Sequence, residues 1–249
     1  SDHLLSNFLL QTRGRGVYIK HMSYSLWHQK VVSKAKVHTD QQLYLRTIVF
    51  SLLVFAFLYF YTSSIKIPNV LNKTVADTSI ILIGLSMLLT SLCYFYDFVD
   101  TKIIYRKYLG IVGFLYGIVH IVLSFSAFQS LFKPETWQKG IPWPLFTGAL
   151  ALGIFTIMAL ISNKYAAYTL GGVIWRRTLR LGYLAVALIW VHVFLLKSSR
   201  LLTWYLGGMK TPPSTSLLVL IFMAVVIIMR IILWLSLLRK KFSSPRLYS

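Results

Sequence analysis

What most constrains this 249-residue chain is the recurrence of apolar runs long enough to cross a bilayer. Six fall near residues 47–64, 79–98, 108–128, 143–162, 181–197 and 215–238. At a helical rise of about 1.5 Å per residue, runs of this length match a hydrocarbon core of about 30 Å. Lipid offers no partner to backbone N–H and C=O groups, so such runs close their hydrogen bonds internally, as helices. The expected fold is an all-α polytopic membrane protein, with a six-helix transmembrane bundle over residues 47–241. A basic segment, 1–46, precedes it and a short tail, 242–249, follows it. Composition agrees, with 57% hydrophobic and 13% charged residues against about 45–50% and about 25% in soluble domains.

The net charge of +20 would suggest nucleic acid in a soluble protein. Here the placement of the charges decides instead. With both termini cytoplasmic, 18 of the 26 lysines and arginines fall inside and seven outside. The excess of cations in short inner loops therefore orients the bundle. Arg230 is left over, near enough to the inner end of the sixth span to snorkel. The expected location is the cell membrane, plasma or inner, with the lipid bilayer as the first partner and no nucleic acid. A single cysteine, Cys93, excludes an intrachain disulfide and a cysteine metal cluster.

The segment 1–46 is polar and basic and shows no cleavable signal pattern. Met22 marks a second plausible start, so residues 1–21 read as leader or native tail. Residues 23–46 read either as an interfacial helix, with Leu26, Trp27, Val31 and Val32 on its apolar side, or as a disordered basic tail. KIPNVLNK is expected as an outer loop carrying a sequon at Asn72, and KPETWQKGIPWP and TWYLGGMKTPPST as further outer loops rich in breakers. Such loops can frame an outer pocket, though their tryptophans also fit an interfacial belt.

Only two of the six histidines, His120 and His192, lie in spans. An ionisable side chain in hydrocarbon faces the bundle interior or marks a functional path. His120 comes 13 residues after Lys107, and His192 comes 12 after Arg180, on spans of the same direction. Both therefore sit about 18–20 Å along their helices, at a shared depth. LGIVGFLYGIVH and LGYLAVALIWVH each place His eleven residues after Leu, with small residues seven and ten before it: Gly113 and Gly110, Ala185 and Gly182. Gly117 joins the same face. Close helix packing explains the small residues alone; a flat macrocycle held between the helices also explains why both grooves end in imidazole.

Zinc needs three or four protein ligands, and the spans offer no cysteine or carboxylate at that depth. A porphyrin supplies four nitrogens and leaves two axial positions, which two neutral imidazoles fill to give a low-spin b-type haem. Ser124 and Ser126 form no triad with a base, and no strand carries a phosphate loop, so hydrolysis is not expected. Interhelical hydrogen bonding of the two histidines, in a scaffold or transport bundle, is the non-redox reading.

RKYLGIVGFLYGIVH at 106–120, IKIPNVLNK, and VHVFLLKSS with TPPST and LLRKK after it resemble the six-transmembrane epithelial antigen of the prostate (STEAP) metalloreductases. More widely, residues 47–241 resemble the ferric reductase-like transmembrane superfamily, which includes NADPH oxidases and the haem membrane subunit of bacterial methionine sulfoxide reductase. The resemblance implies that His120 and His192 ligate one haem in the outer half, with a flavin at the inner ends of spans three to five. Two-haem members carry further histidines 13 or 14 residues earlier; here Arg106, Lys107 and Leu179 stand there, which implies one haem. A nucleotide-binding domain is not found ahead of the spans, so NADPH oxidation is expected from a partner. A homotrimer is also implied.

The expected function is thus a single-haem transmembrane oxidoreductase of the ferric or cupric reductase kind. Electrons would pass from a cytoplasmic flavin reductase or flavoprotein to an outer metal chelate or oxygen. Arg106, Lys107, Trp175, Arg176, Arg177 and Arg180 are the candidate FAD contacts, a role that competes with the positive-inside signal itself. A membrane subunit feeding a periplasmic methionine sulfoxide reductase from quinol is the alternative.

Overall fold

The computed structural model describes residues 39–65, 67–129 and 142–243. Six long apolar helices run through it: α1 (Asp40–Ser64), α2 (Val70–Phe95), α3 (Arg106–Ala127), α4 (Trp143–Ile161), α6 (Gly171–Leu206) and α7 (Thr215–Ser243). A short α5 (Lys164–Thr169) links α4 to α6, and a 3-10 segment (Asp97–Tyr105) leads into α3. No strand occurs among the described residues. Each helix covers one expected span, with the fifth span on α6 and the sixth on α7. Most of 23–46 and of KPETWQKGIPWP lies outside the described residues, and Asp40–Arg46 form the first turns of α1.

The bundle wears its apolar side chains outward. Ile48, Leu53, Phe57 and Phe60 on α1 and Ile221, Ile228 and Trp234 on α7 are exposed, while Ser51, Thr62, Thr74, Thr78, Ser91 and Thr215 are buried. In lipid there is no gain from hiding an apolar side chain, and small polar residues let helix backbones approach closely. Together with the helix lengths, this is the surface of a protein that lives in a bilayer.

Helix α2 is the centre: half of its apolar window is buried, against 17–33% for the other five. It packs on α1, α3 and α7. One core cluster joins Ile80, Ile83 and Met87 of α2 to Phe155 of α4, Val186 of α6 and Met223 of α7. Gly84 receives the Phe222 ring, which a side chain at 84 would displace. At one end Tyr108 Oη donates to Asp40 Oδ1 (2.6 Å), tying α3 to α1. At the other, Tyr61 Oη donates to the Pro213 carbonyl (2.8 Å) ahead of α7.

Two helices are longer than their apolar runs. α2 begins at Val70, so KIPNVLNK is partly helical, and Asn72 is only 7% exposed. This corrects the expected outer-loop sequon: a side chain packed inside the bundle is not displayed for glycosylation. α6 has 36 residues, which at about 1.5 Å each exceeds the hydrocarbon core by roughly 24 Å. The run WRRTLR therefore belongs to its first turns and not to a loop.

Candidate functional site

His120 and His192 lie toward the same end of the bundle, on α3 and α6, both half-buried and within electrostatic reach of each other. Their helices are not a packed pair. α3 packs chiefly on α2, and α6 chiefly on α4. The two rings thus belong to separate helix pairs.

Each ring is held by the helix pair to which it belongs. His120 Nδ1 lies 2.7 Å from Asn72 Oδ1 on α2. Asn72 Nδ2 donates to Ser124 Oγ (3.1 Å), so its oxygen is the end turned to the imidazole, and Nδ1 carries the proton. His192 Nδ1 lies 2.6 Å from the Pro144 carbonyl on α4. A carbonyl only accepts, so this Nδ1 is protonated too. In both rings the proton sits on Nδ1, which leaves the Nε2 lone pair of the neutral imidazole uncommitted. Anchoring of the far nitrogen by an amide or backbone oxygen is how metal-bound histidines are commonly oriented. The two anchors stand at equal separations from their histidines, 48 residues in each case.

Gly148 completes the His192 seat. A Cβ there would lie 2.8 Å from Nδ1 and 3.0 Å from Cε1 of the ring. Pro144 and Gly148 are one helical turn apart, so one offers a carbonyl while the other leaves room for the ring. Sequence reading missed Asn72, Pro144 and Gly148. A backbone carbonyl has no residue-type signature, and Asn72 reads as a glycosylation sequon.

The small residues expected to cradle a macrocycle have other neighbours. On α3 the glycines face α2: a Cβ at Gly110 would meet Ser86 Oγ at 3.2 Å, one at Gly113 would meet Ile83 and Leu82 at 2.9 and 3.0 Å, and one at Gly117 would meet Ser79 Oγ at 3.2 Å. Two serines also bond across, Ser79 Oγ to the Gly113 carbonyl and Ser86 Oγ to the Arg106 carbonyl, both at 2.7 Å. Gly182 on α6 is met by Met158 and Met87, and Ala185 is fully buried in the core. The helix-packing role therefore accounts for these faces.

The basic residues assigned to a flavin divide. Lys107, Arg176, Arg177 and Arg180 are exposed at the end of the bundle away from the histidines. Lys107 Nζ sits 5.5 Å from the Tyr108 ring centre. Trp175 is half-buried, its Nε1 donating to the Ile161 carbonyl (2.9 Å), which pins the start of α6 to the end of α4. Arg106 turns away from this surface group and is half-buried, within reach of Tyr183 and Arg230.

At the histidine end a cavity of about 530 Å³ opens among Lys73, Lys197, Arg200, Trp204, Ser214 and Ser216. Lys73 Nζ donates to Asp77 Oδ2 and to Ser216 Oγ, both at 2.8 Å. Lys73–Asp77 is the sole ion pair among the described residues. With one carboxylate against three cations, the cavity is positive. Lys197, in the cavity lining, is within electrostatic reach of both rings. Among the described residues no three His, Cys, Asp or Glu side chains gather at one point. Compared with family models and with curated proteins, the chain finds no match.

Proposed function

We propose that the chain is a single-haem transmembrane electron-transfer protein of the ferric or cupric reductase-like kind. The observation that carries the reading is the pair of neighbouring imidazoles, each with Nδ1–H committed to an oxygen and, among the described residues, no partner at Nε2. Two neutral imidazoles from different helix pairs suit a group that brings its other donors with it, which a porphyrin does. His120 and His192 would hold it. A b-type haem held there would supply a one-electron couple.

The chain's own residues divide the remaining work by position. Asn72 and the Pro144 carbonyl fix the ring tautomers, and Gly148 gives the His192 ring its place. Lys107, Arg176, Arg177 and Arg180 offer charge-assisted donors to a flavin phosphate at the opposite end, which by the charge count is cytoplasmic. The positive cavity beside Lys73, Lys197 and Arg200 suits an anionic acceptor such as a metal chelate. Reduced pyridine nucleotide would be consumed by a partner flavoprotein.

Absorption spectroscopy of the purified protein tests this. The expected result is a low-spin b-haem spectrum at one haem per chain, lost in both His120→Ala and His192→Ala. A colourless wild-type protein, expressed with haem in excess, overturns the reading in favour of a scaffold whose histidines bond only within the bundle.

A further inference from the structure

Arg230, which the charge count leaves without a role, is not alone in the structure. Its guanidinium carbon lies 4.2 Å from the centre of the Tyr183 ring. The Tyr183 hydroxyl is buried and has no hydrogen-bond partner. Arg106, in the first turn of α3, is within electrostatic reach of both. Neither arginine joins an ion pair, since Lys73–Asp77 is the sole one among the described residues. Three donors from α3, α6 and α7 thus converge with no anion among them.

Their level is set by the helix register. Tyr183 precedes His192 by nine residues and Arg106 precedes His120 by fourteen, so the group lies about 13–21 Å along the axis from the histidines. A half-buried charge is costly unless compensated, and a second like charge nearby raises that cost. The orphan hydroxyl adds a donor without an acceptor. All three deficits are met by one species, an anion with several acceptor oxygens. Guanidinium forks fit phosphate oxygens two at a time, and stacking on Tyr183 uses the face of the Arg230 fork while leaving its edge N–H groups free.

We propose that Arg106, Arg230 and Tyr183 form an oxyanion site for a phosphate group, distinct from the exposed cluster of Lys107, Arg176, Arg177 and Arg180. The phosphate comes either from a phospholipid of the adjoining leaflet or from a soluble phosphate compound that enters from that end. The site stands whether or not the histidines hold haem.

The test is a thermal-shift titration of the full chain in detergent. One arm adds inorganic pyrophosphate; the other adds dioleoylphosphatidylglycerol, with dioleoylglycerol as the phosphate-free control. A saturable rise in unfolding temperature is expected with at least one phosphate probe and not with dioleoylglycerol. A response to pyrophosphate identifies a soluble ligand, and a response to the lipid alone identifies the leaflet. Arg230→Gln should weaken the apparent affinity about tenfold or more, and Tyr183→Phe less. Should Arg230→Gln not fold, Arg106→Gln and Tyr183→Phe carry the comparison. No shift with either probe, or a shift that Arg106→Gln and Tyr183→Phe keep in full, overturns the proposal.

Discussion

Replacing Gly148 by alanine is the sharpest test of how His192 is seated. The new Cβ would lie 2.8 Å from Nδ1 and 3.0 Å from Cε1, well inside ordinary van der Waals contact, so the ring must withdraw. It cannot withdraw and keep its 2.6 Å bond to the Pro144 carbonyl. Losing that bond in a half-buried site costs about 1–3 kcal/mol. Misorienting a metal-ligating imidazole typically lowers affinity about 10–100-fold. A control lies on the same helix. Gly153 has nothing within 4 Å of a would-be Cβ, and alanine there adds up to about 1 kcal/mol of helix propensity. Gly148→Ala should therefore lower the unfolding temperature and, on the proposed haem reading, the haem retained on size-exclusion chromatography, while Gly153→Ala raises or preserves both. Equal haem content and equal stability in the two variants would refute the seating argument.

Asn72 supports the other ring. Asn72→Leu should loosen His120 and reduce haem affinity about 10–100-fold, whereas Asn72→Asp, which still accepts from Nδ1–H, should retain haem and shift its midpoint potential to more negative values by strengthening the imidazole as a donor. Both are read by haem titration and redox potentiometry, and unchanged affinity in Asn72→Leu would discount the anchor. Replacing Arg176, Arg177 and Arg180 together with glutamine should leave the haem spectrum intact and dithionite reduction unchanged while slowing reduction by a flavin reductase with FAD. Unaltered flavin-driven reduction would leave those arginines as topological signals alone.

The six spans were legible because length and continuity of apolar sequence suffice for a helix in lipid. Their ends were less so. Asn72, Lys73 and Asp77 make the start of α2 look like a loop, yet Asn72 and Asp77 are buried, Lys73 is half-buried, and they bond to His120 and Ser216 and, in the Lys73–Asp77 pair, to each other. α6 begins ten residues before its apolar run because Arg176, Arg177 and Arg180 interrupt hydropathy without interrupting the backbone ladder. That His120 and His192 come near each other was legible by counting residues along their spans. Which neighbour each small face meets did not, since periodicity names a face and not its partner: Gly110, Gly113 and Gly117 turn to Ser86, Leu82, Ile83 and Ser79 of α2. Nor does a sequence display a backbone acceptor such as the Pro144 carbonyl.

The unbroken length of α6 makes it a ruler for the whole molecule. From Arg177 to His192 is fifteen residues, about 22 Å, and from His192 to Lys197 five more, about 7 Å. One continuous backbone ladder therefore sets the spacing among the surface arginines, the imidazole and the cavity cation. Inserting a single residue between Arg180 and His192 would rotate everything beyond it by about 100° and carry it about 1.5 Å along the axis. The two ends would lose their common bearing although no residue at either end had changed.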